Sequence, residues 1–401
     1  MSNSRSSRKP SLQSYISHLQ CSGCGKEYSY DEIHTFCPVC QSPLLAIYDL
    51  DKARQHVDRE EISRRTKGMW RWAELLPVIK AENRVFLGEG DTALLPLPHV
   101  EQQLGLTNLY VKDESSNPTG SFKARGLSAA ISKAKELGVE KVIIPTAGNA
   151  GGAMAAYAAR AGLKAHIFMP KDTPYANIEE SRMAGAEVIL VDGLISDAAG
   201  MAGEKARDEG WFDVSTFKEP YRVEGKKVMG YELAESFGWE LPDVIIYPTG
   251  GGTGLVGMWK AFEELEALGW LENTKRPRMV SVQADGCAPV VKAFENHASF
   301  CDFWLKAHTI ASGLRVPKSF ADHLILQDIY ESQGTAVAVS DEEILEAQKQ
   351  LARMEGIFAA PEGAATLAAL QKLIEKKWVL PDERIVLFNT GSGLKYLDPR
   401  N

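Results

Sequence analysis

The chain has 401 residues, a formal net charge of -8, 44% hydrophobic and 24% charged residues. That length is too great for one simple core and fits two α/β domains with a small appendage. The acidic balance argues against nucleic acid or a membrane surface as main partner, and no apolar run approaches the ~20 residues of a membrane span.

The start, Met1 to Pro10, is polar and basic with no apolar segment behind it, so it does not read as a secretory signal. Residues 1–18 are expected to be a disordered tail. Six cysteines in a chain this long do not form a disulfide framework, and the expected compartment is a reducing cytoplasm. Cys21, Cys24, Cys37 and Cys40 make two Cys-x-x-Cys pairs with twelve residues between them. Each pair can offer two thiolates to one tetrahedral metal, which suits structural zinc and a zinc-ribbon-like arm over 19–50. Four thiolates close the coordination sphere, so the arm reads as a staple, away from any reaction. Cys287 and Cys301 are isolated and read as packing residues.

A charged connector helix is predicted over Asp51–Lys67, and Leu109–Lys112 reads as a strand. It leads to Asn117-Pro118-Thr119-Gly120-Ser121-Phe122-Lys123-Ala124-Arg125-Gly126. Pro118 and Gly120 mark a turn, Ser121 is the expected helix N-cap, and Leu127, Ala130, Ile131 and Ala134 keep helical spacing. Lys123 then stands at the positive end of a helix dipole. An ammonium is disfavoured there and a neutral, nucleophilic amine is easier to reach.

Strands and helices alternate afterwards. Strands are predicted at Lys141–Ile144, Ala165–Met169, Glu187–Val191, Asp243–Tyr247, Arg278–Val282 and Arg384–Phe388. Helices fall between them, and Arg222–Lys227 reads as a basic loop before a helix that ends near Phe237. Ser340 with Glu343 forms a capping box. This alternation predicts parallel sheet covered on both faces.

Two strand ends carry the chemistry. After the buried strand Asp243–Tyr247 comes Gly250-Gly251-Gly252-Thr253-Gly254, followed by a helix. Several converging N–H groups and a helix N-terminus make a phosphate cradle. Gly252 to Gly257 also has the form of a dinucleotide fingerprint, with Asp285 able to stand for its ribose carboxylate. That alternative leaves Lys123 without a task. The last strand ends in Thr390-Gly391-Ser392-Gly393.

The ordered set of Asn117–Lys123, Thr146–Gly151, Tyr157–Gly162, Pro220–Lys227, Ser340–Phe358 and Thr390–Lys395 resembles the tryptophan-synthase-β-like (fold type II) pyridoxal-phosphate enzymes. Within them it is similar to the threonine synthases, some of which also carry a four-cysteine arm. The resemblance implies two doubly wound α/β domains. The large cofactor domain would take 51–122 and 225–401, and the small one 123–224. It implies pyridoxal 5'-phosphate held covalently by Lys123, with Phe122 beside it, Asn149 on the ring's phenolic oxygen, Gly250, Gly251, Gly252, Thr253 and Gly254 around the phosphate, and Thr390 at the ring nitrogen. Thr146, Ala147, Gly148 and Ala150 would hold the substrate carboxylate, and Arg222 a substrate phosphate.

The implied activity is a carbon–oxygen lyase that makes L-threonine and phosphate from O-phospho-L-homoserine and water. A small-molecule substrate and a homodimer are the implied partners. Some positions depart from the family. Ala124 stands where Asp is common, and Ala147, Ala150 and Gly151 stand where hydroxyl residues are common. Gly251 and Thr253 look like the loop of serine/threonine dehydratases, the alternative activity. Lys226 replaces a common Gln, and Glu362 lies two places past the usual acidic position, here Ala360.

Overall fold

The computed structural model describes residues 13–397. The arm comes first. β1 (Ile16–Cys21), β2 (Glu27–Tyr28) and β3 (Leu44–Tyr48) form an antiparallel sheet in the order β2-β1-β3. The expected tail of residues 1–18 needs correction. Residues 1–12 lie outside the described residues, but Tyr15 already bonds to Glu74 and Asp49 through the backbone, and β1 starts at Ile16. The cause is apolar: Ile16 and Leu19 are buried and pack with Tyr48, Ala130 and Tyr221.

Where the sequence predicts one connector helix, two short ones stand, α1 (Leu50–His56) and α2 (Arg59–Ser63). Val57 is extended and ends the first, and the Asp58 carboxylate accepts from the Glu60 N–H to start the second. β4 (Ala93–Pro96), α3 (Pro98–Leu104) and β5 (Leu109–Asp113) follow. The lysine turn then opens α4 (Lys123–Glu136). Next come β6 (Lys141–Pro145), α5 (Asn149–Ala161), β7 (Lys164–Pro170), α6 (Tyr175–Met183), β8 (Glu187–Val191), α7 (Ile195–Glu209) and β9 (Phe212–Asp213). The chain continues through α8 (Arg222–Ser236), β10 (Val244–Pro248), α9 (Thr253–Leu268), β11 (Arg278–Ala284), α10 (Pro289–Glu295) and α11 (Asp322–Glu331). It closes with β12 (Thr335–Val339), α12 (Asp341–Glu355), α13 (Pro361–Glu375) and β13 (Ile385–Asn389).

The alternating strands form two sheets, parallel as the alternation predicts but for one edge strand. The larger has the order β12-β11-β10-β13-β5-β4, parallel except for the edge strand β4. The smaller, β8-β7-β6-β9, is all parallel. All five residues of β10 and of β13 are buried, as strands covered on both faces require. Separate apolar clusters lie on the two faces of the large sheet, one around Val244, Ile246 and Leu387, the other around Ile245, Tyr247 and Phe388.

The basic stretch Arg222–Lys227 is helix, not loop. The Glu219 carboxylate accepts from the N–H groups of Tyr221 and Arg222 and so caps α8. α8 lies between α4 and α9, and its contact with α4 is backbone on backbone. A Cβ on Gly225 would strike the Arg125 carbonyl, and one on Gly126 would crowd the Arg222 carbonyl. Burial of Lys226 and Lys227 inside this contact is what composition alone disguises as a solvated loop.

Candidate active site

In open parallel sheets, the loops after the strands' carboxyl ends gather on one rim. Here they enclose a cavity of about 260 Å³. Phe122 and Lys123 reach it from the start of α4, Thr146 to Ala150 from the β6–α5 turn, Gly250 to Gly254 from the β10–α9 turn, Thr390 from the end of β13, and Arg222 from the start of α8. Every residue that the sequence predicts for cofactor or substrate lines this one space. Asp285, the rival ribose carboxylate, is not among its lining residues.

The lysine is fixed from several sides. The Phe122 N–H donates to the Thr390 carbonyl at 3.0 Å, and Ser121 bridges Gly391, so the motif is sewn to the last strand. That bridge corrects the expected cap. Ser121 is extended (φ -161°, ψ 159°), Phe122 is the N-cap residue, and the buried Ser121 hydroxyl has no partner. The Lys123 amine lies 4.2 Å from the centre of the Phe122 ring. Its pKa is pulled down to about 8, first by burial, then by the Arg222 charge, with Glu362 acting in the opposite sense. The expectation of an easily deprotonated amine therefore holds, but burial is its chief cause.

The β10–α9 turn is shaped to receive an anion. Gly252 has φ +82°, and a Cβ there would strike Ile325. α9 begins at Thr253, so the turn's N–H groups stand at a helix N-terminus. Asn149, the first residue of α5, presents a buried Oδ1 without a partner. In the β6–α5 turn, the Gly148 N–H is already taken by Thr146 Oγ1 at 3.2 Å and the Gly151 N–H by the Gly148 carbonyl at 3.1 Å, which leaves the N–H groups of Asn149 and Ala150 for a guest. Ala147 and Ala150 add only methyl groups.

Arg222 is 1% exposed. Its Nη1 donates to the Val214 carbonyl at 2.8 Å, and its Nε has no partner. Burial lowers its pKa, with Glu219 and Asp213 raising it. A buried guanidinium at a helix start, where the dipole opposes it, calls for an anionic guest.

Sequence reasoning did not assign cavity roles to Glu362, Tyr396, Ser312, Lys218, Arg315 and Lys318, which also line the space. Most come from residues 214–220 and 299–321, irregular segments with no periodic signal. Glu362 did carry a signal, an acidic residue displaced by two places from its family position. Its Oε1 accepts from the Gly313 N–H at 2.6 Å and from the Tyr396 hydroxyl, and its Oε2 has no partner. Glu362 is the single carboxylate among the lining residues, against the cations of Lys123, Lys218, Arg222, Arg315 and Lys318.

The four cysteines stand elsewhere, in the arm. Their Sγ atoms all lie within 4.8 Å of one another, with Cys21 and Cys40 at 3.3 Å and Cys24 and Cys37 at 3.7 Å. Such spacing fits thiolates around one tetrahedral ion. Burial works to raise the Cys37 pKa, but donors led by the Tyr28 hydroxyl bring it to about 6, which favours the ligating form.

A lysine on a buried helix start, a glycine cradle, an asparagine amide and a neutral threonine hydroxyl, all on the rim of the two sheets, define an enzyme of the pyridoxal-phosphate-dependent class. Residues 85–391 match the family described as pyridoxal-phosphate dependent enzyme. Maize serine racemase superposes with a TM-score of 0.65 at 21% identity, over 77% of this chain and 89% of that one, which shows the shared fold. Threonine synthase of Methanocaldococcus jannaschii is 39% identical over 377 residues, 94% of this chain and 92% of that protein. Threonine synthase of Methanosarcina acetivorans is 36% identical over 96% of this chain and 93% of its own. The chain belongs to the threonine synthase family of pyridoxal-phosphate-dependent lyases. Among the described residues, no helix is long and apolar enough to cross a membrane.

Proposed function

We propose that the protein converts O-phospho-L-homoserine and water to L-threonine and phosphate. The observation that carries this reading is the buried, unpaired Nε of Arg222 in a cavity that Lys218 and Lys318 also line, with Lys218 3.8 Å from Asp213 and Arg315 already paired with Asp172 at 2.9 Å. A cofactor phosphate engages the glycine turn. A substrate with its own phosphate and carboxylate supplies the remaining negative charge, which an uncharged serine or threonine side chain does not.

When bound, pyridoxal phosphate draws electrons from the substrate's α-carbon and acidifies its hydrogen. The chain's own groups do the rest. Lys123 in its neutral form would take the proton from Cα and pass it to the substrate phosphate, then take one from Cβ, give that one to Cγ once the phosphate has left, and carry the proton of the adding water back to Cα. Gly250 to Gly254 hold the cofactor phosphate, Asn149 orients the ring through its phenolic oxygen, and Thr390 offers the ring nitrogen a neutral hydroxyl. The turn from Thr146 to Ala150 holds the substrate carboxylate. Arg222 with Lys218 holds the substrate phosphate through charge-assisted hydrogen bonds, which readies it to leave Cγ before water adds at Cβ.

A dehydratase acting on serine or threonine is the second reading. Ala147 and Ala150 favour it, because they place methyl groups where the family has hydroxyls. The test is a product assay on holoenzyme with three substrates. Phosphate and threonine from O-phosphohomoserine support the first reading; ketoacid from serine or threonine, without phosphate release, overturns it.

The same proposal places zinc on Cys21, Cys24, Cys37 and Cys40, to be tested by metal analysis of protein purified without chelator. It also pairs two chains as a homodimer in a reducing cytoplasm, with light scattering as the test of the pairing. A metal-free preparation or a monomer would remove that part alone.

A further inference from the structure

Glu362 is buried, with 6% of its surface exposed, and is the second residue of α13, after Pro361. One carboxylate oxygen is anchored twice, by the Gly313 N–H and the Tyr396 hydroxyl. Tyr396 is itself held near the Ser312 hydroxyl at 3.4 Å. The anchoring fixes the other oxygen, Oε2, which is buried and meets no donor among the described residues. A buried carboxylate oxygen left unpaired costs free energy unless a guest or a moving group completes it. The cavity offers Lys123 as that group. Lys123 and Glu362 line the same cavity, and no ion pair within 4.0 Å joins them in the resting geometry.

We propose that Glu362 is a positioning residue for Lys123: its unpaired Oε2 receives a hydrogen bond from the Lys123 ammonium whenever that amine is free and carries a proton. No proton passes to the carboxylate, and the N–H bond stays on the amine. The carboxylate keeps the protonated amine inside the cavity, where the opposing Arg222 charge would otherwise push it away or strip it. It thereby sets the pH at which Lys123 gives up its proton. The sign follows from charge. Arg222 and burial lower the amine's proton affinity, and Glu362 raises it. Glu362 stands two places past the position, here Ala360, where the family resemblance implies an acid. The pairing rests on Lys123 as the reacting amine but not on the identity of the substrate.

The test compares wild type with Glu362→Gln, which keeps the shape and removes the charge, and Glu362→Asp, which keeps the charge. On holoenzyme saturated with substrate, the acid limb of the kcat–pH profile reports the free amine. On full-length protein stripped of cofactor, acetic anhydride labelling of Lys123 against pH, read by peptide mass spectrometry, reports the same group without turnover. Glu362→Gln should move both midpoints down by about one pH unit, and Glu362→Asp should stay within a few tenths of wild type. A folded Glu362→Gln protein with both midpoints unchanged overturns the proposal. So does an equal shift in both variants, or failure of both to fold, since either marks a steric or structural role. A shifted labelling midpoint together with no phosphate release from O-phosphohomoserine would overturn the substrate reading and leave this one standing.

Discussion

Phe36 of the cysteine arm meets Phe320 of the cavity wall edge to face, with ring centres 5.6 Å apart and an interplanar angle of 61°. Phe36 immediately precedes Cys37. Phe320 lines the cavity, and its neighbour Ser319 donates to the carbonyl of Gly251 in the phosphate turn at 3.0 Å. A second strut, Ser22 to His323 at 3.1 Å, lies alongside. The arm is therefore built against the wall of the site, a staple whose place beside the cavity its sequence does not announce.

A consequence can be measured. Phe36→Ala removes an aromatic contact worth about 0.5–1.5 kcal/mol beyond its buried area, from a wall that supports the cofactor's phosphate turn. Cofactor affinity, read by titrating cofactor-free protein with pyridoxal phosphate, should fall severalfold, while overall melting changes little. Treatment with a zinc chelator should act in the same direction. Unchanged affinity in both cases would show that the arm and the site are independent.

Arg222 gives the sharpest test of substrate choice. Arg222→Leu keeps much of the buried volume but removes the charge-assisted bonds to the proposed phosphate, each worth about 1.5–3 kcal/mol. KM for O-phosphohomoserine should rise about tenfold to a hundredfold, following 1.4 kcal/mol per factor of ten. Any slow turnover of serine should stay level. Equal losses on both substrates would assign Arg222 to the scaffold instead.

Lys226 is buried against the other side of the lysine motif. Its amine donates to the carbonyl of Phe122, the residue before Lys123, and lies 4.0 Å from the centre of the Phe122 ring. Burial, together with the charges of Lys123 and Arg222, drives its pKa well down. Lys226→Met would strand the Phe122 carbonyl at a cost of about 1–3 kcal/mol, whereas Lys226→Gln, the common family residue, keeps a donor. Thermal melts should rank Met below Gln, and the absorption band of bound cofactor should broaden only in Met. The reverse order would mean that the amine is not needed there.

Much of this was legible in advance because strand and helix periods are strong where both faces are covered. Val244–Pro248 and Ile385–Phe388 are continuous apolar runs, and the glycine and lysine turns follow strand ends. What stayed hidden depends on tertiary contact. Lys226 and Lys227 read as a solvated basic loop because charge usually means water. In the fold, Lys227 is enclosed by Glu224 at 2.6 Å and Glu264 at 3.0 Å. Arg125, in the lysine motif itself, is wholly buried between Glu114 and Glu232, each at 2.6 Å, beside Lys112. No spacing rule finds such partners, since they lie 11 and 107 residues away along the chain. The wall from Ser312 to Phe320 has no regular element, so no period announces it.

That buried quartet makes a stability prediction. Arg125→Met leaves Glu232 with the Lys112 amine and the Asp91 N–H, and Glu114 with only the neutral donors of Thr92 and Asn117. Breaking a buried pair from one side costs about 3–5 kcal/mol, and urea unfolding should show a loss of that order without a change in m. A loss under 1 kcal/mol would mean that water enters and screens the remaining charges.

Lys123 itself predicts a pH signature in protein stripped of cofactor. Its folded pKa, about 8, lies below the ordinary lysine value of 10.5. Between those values the unfolded chain holds more protons than the folded one, so stability contributed by this group rises with pH. Below about pH 8 the amine is charged in both states and its burial is a full penalty. Above that pH the folded amine is neutral and the penalty fades. Lys123→Met has no such group, so the stability gap between it and wild type should favour the variant most near pH 7 and shrink steadily toward pH 10. Denaturant melts of the two stripped proteins at each pH give the difference directly, with other titrations cancelling. A gap that stays constant across this range would place the Lys123 amine in water, and the argument for a pre-lowered nucleophile would fail with it.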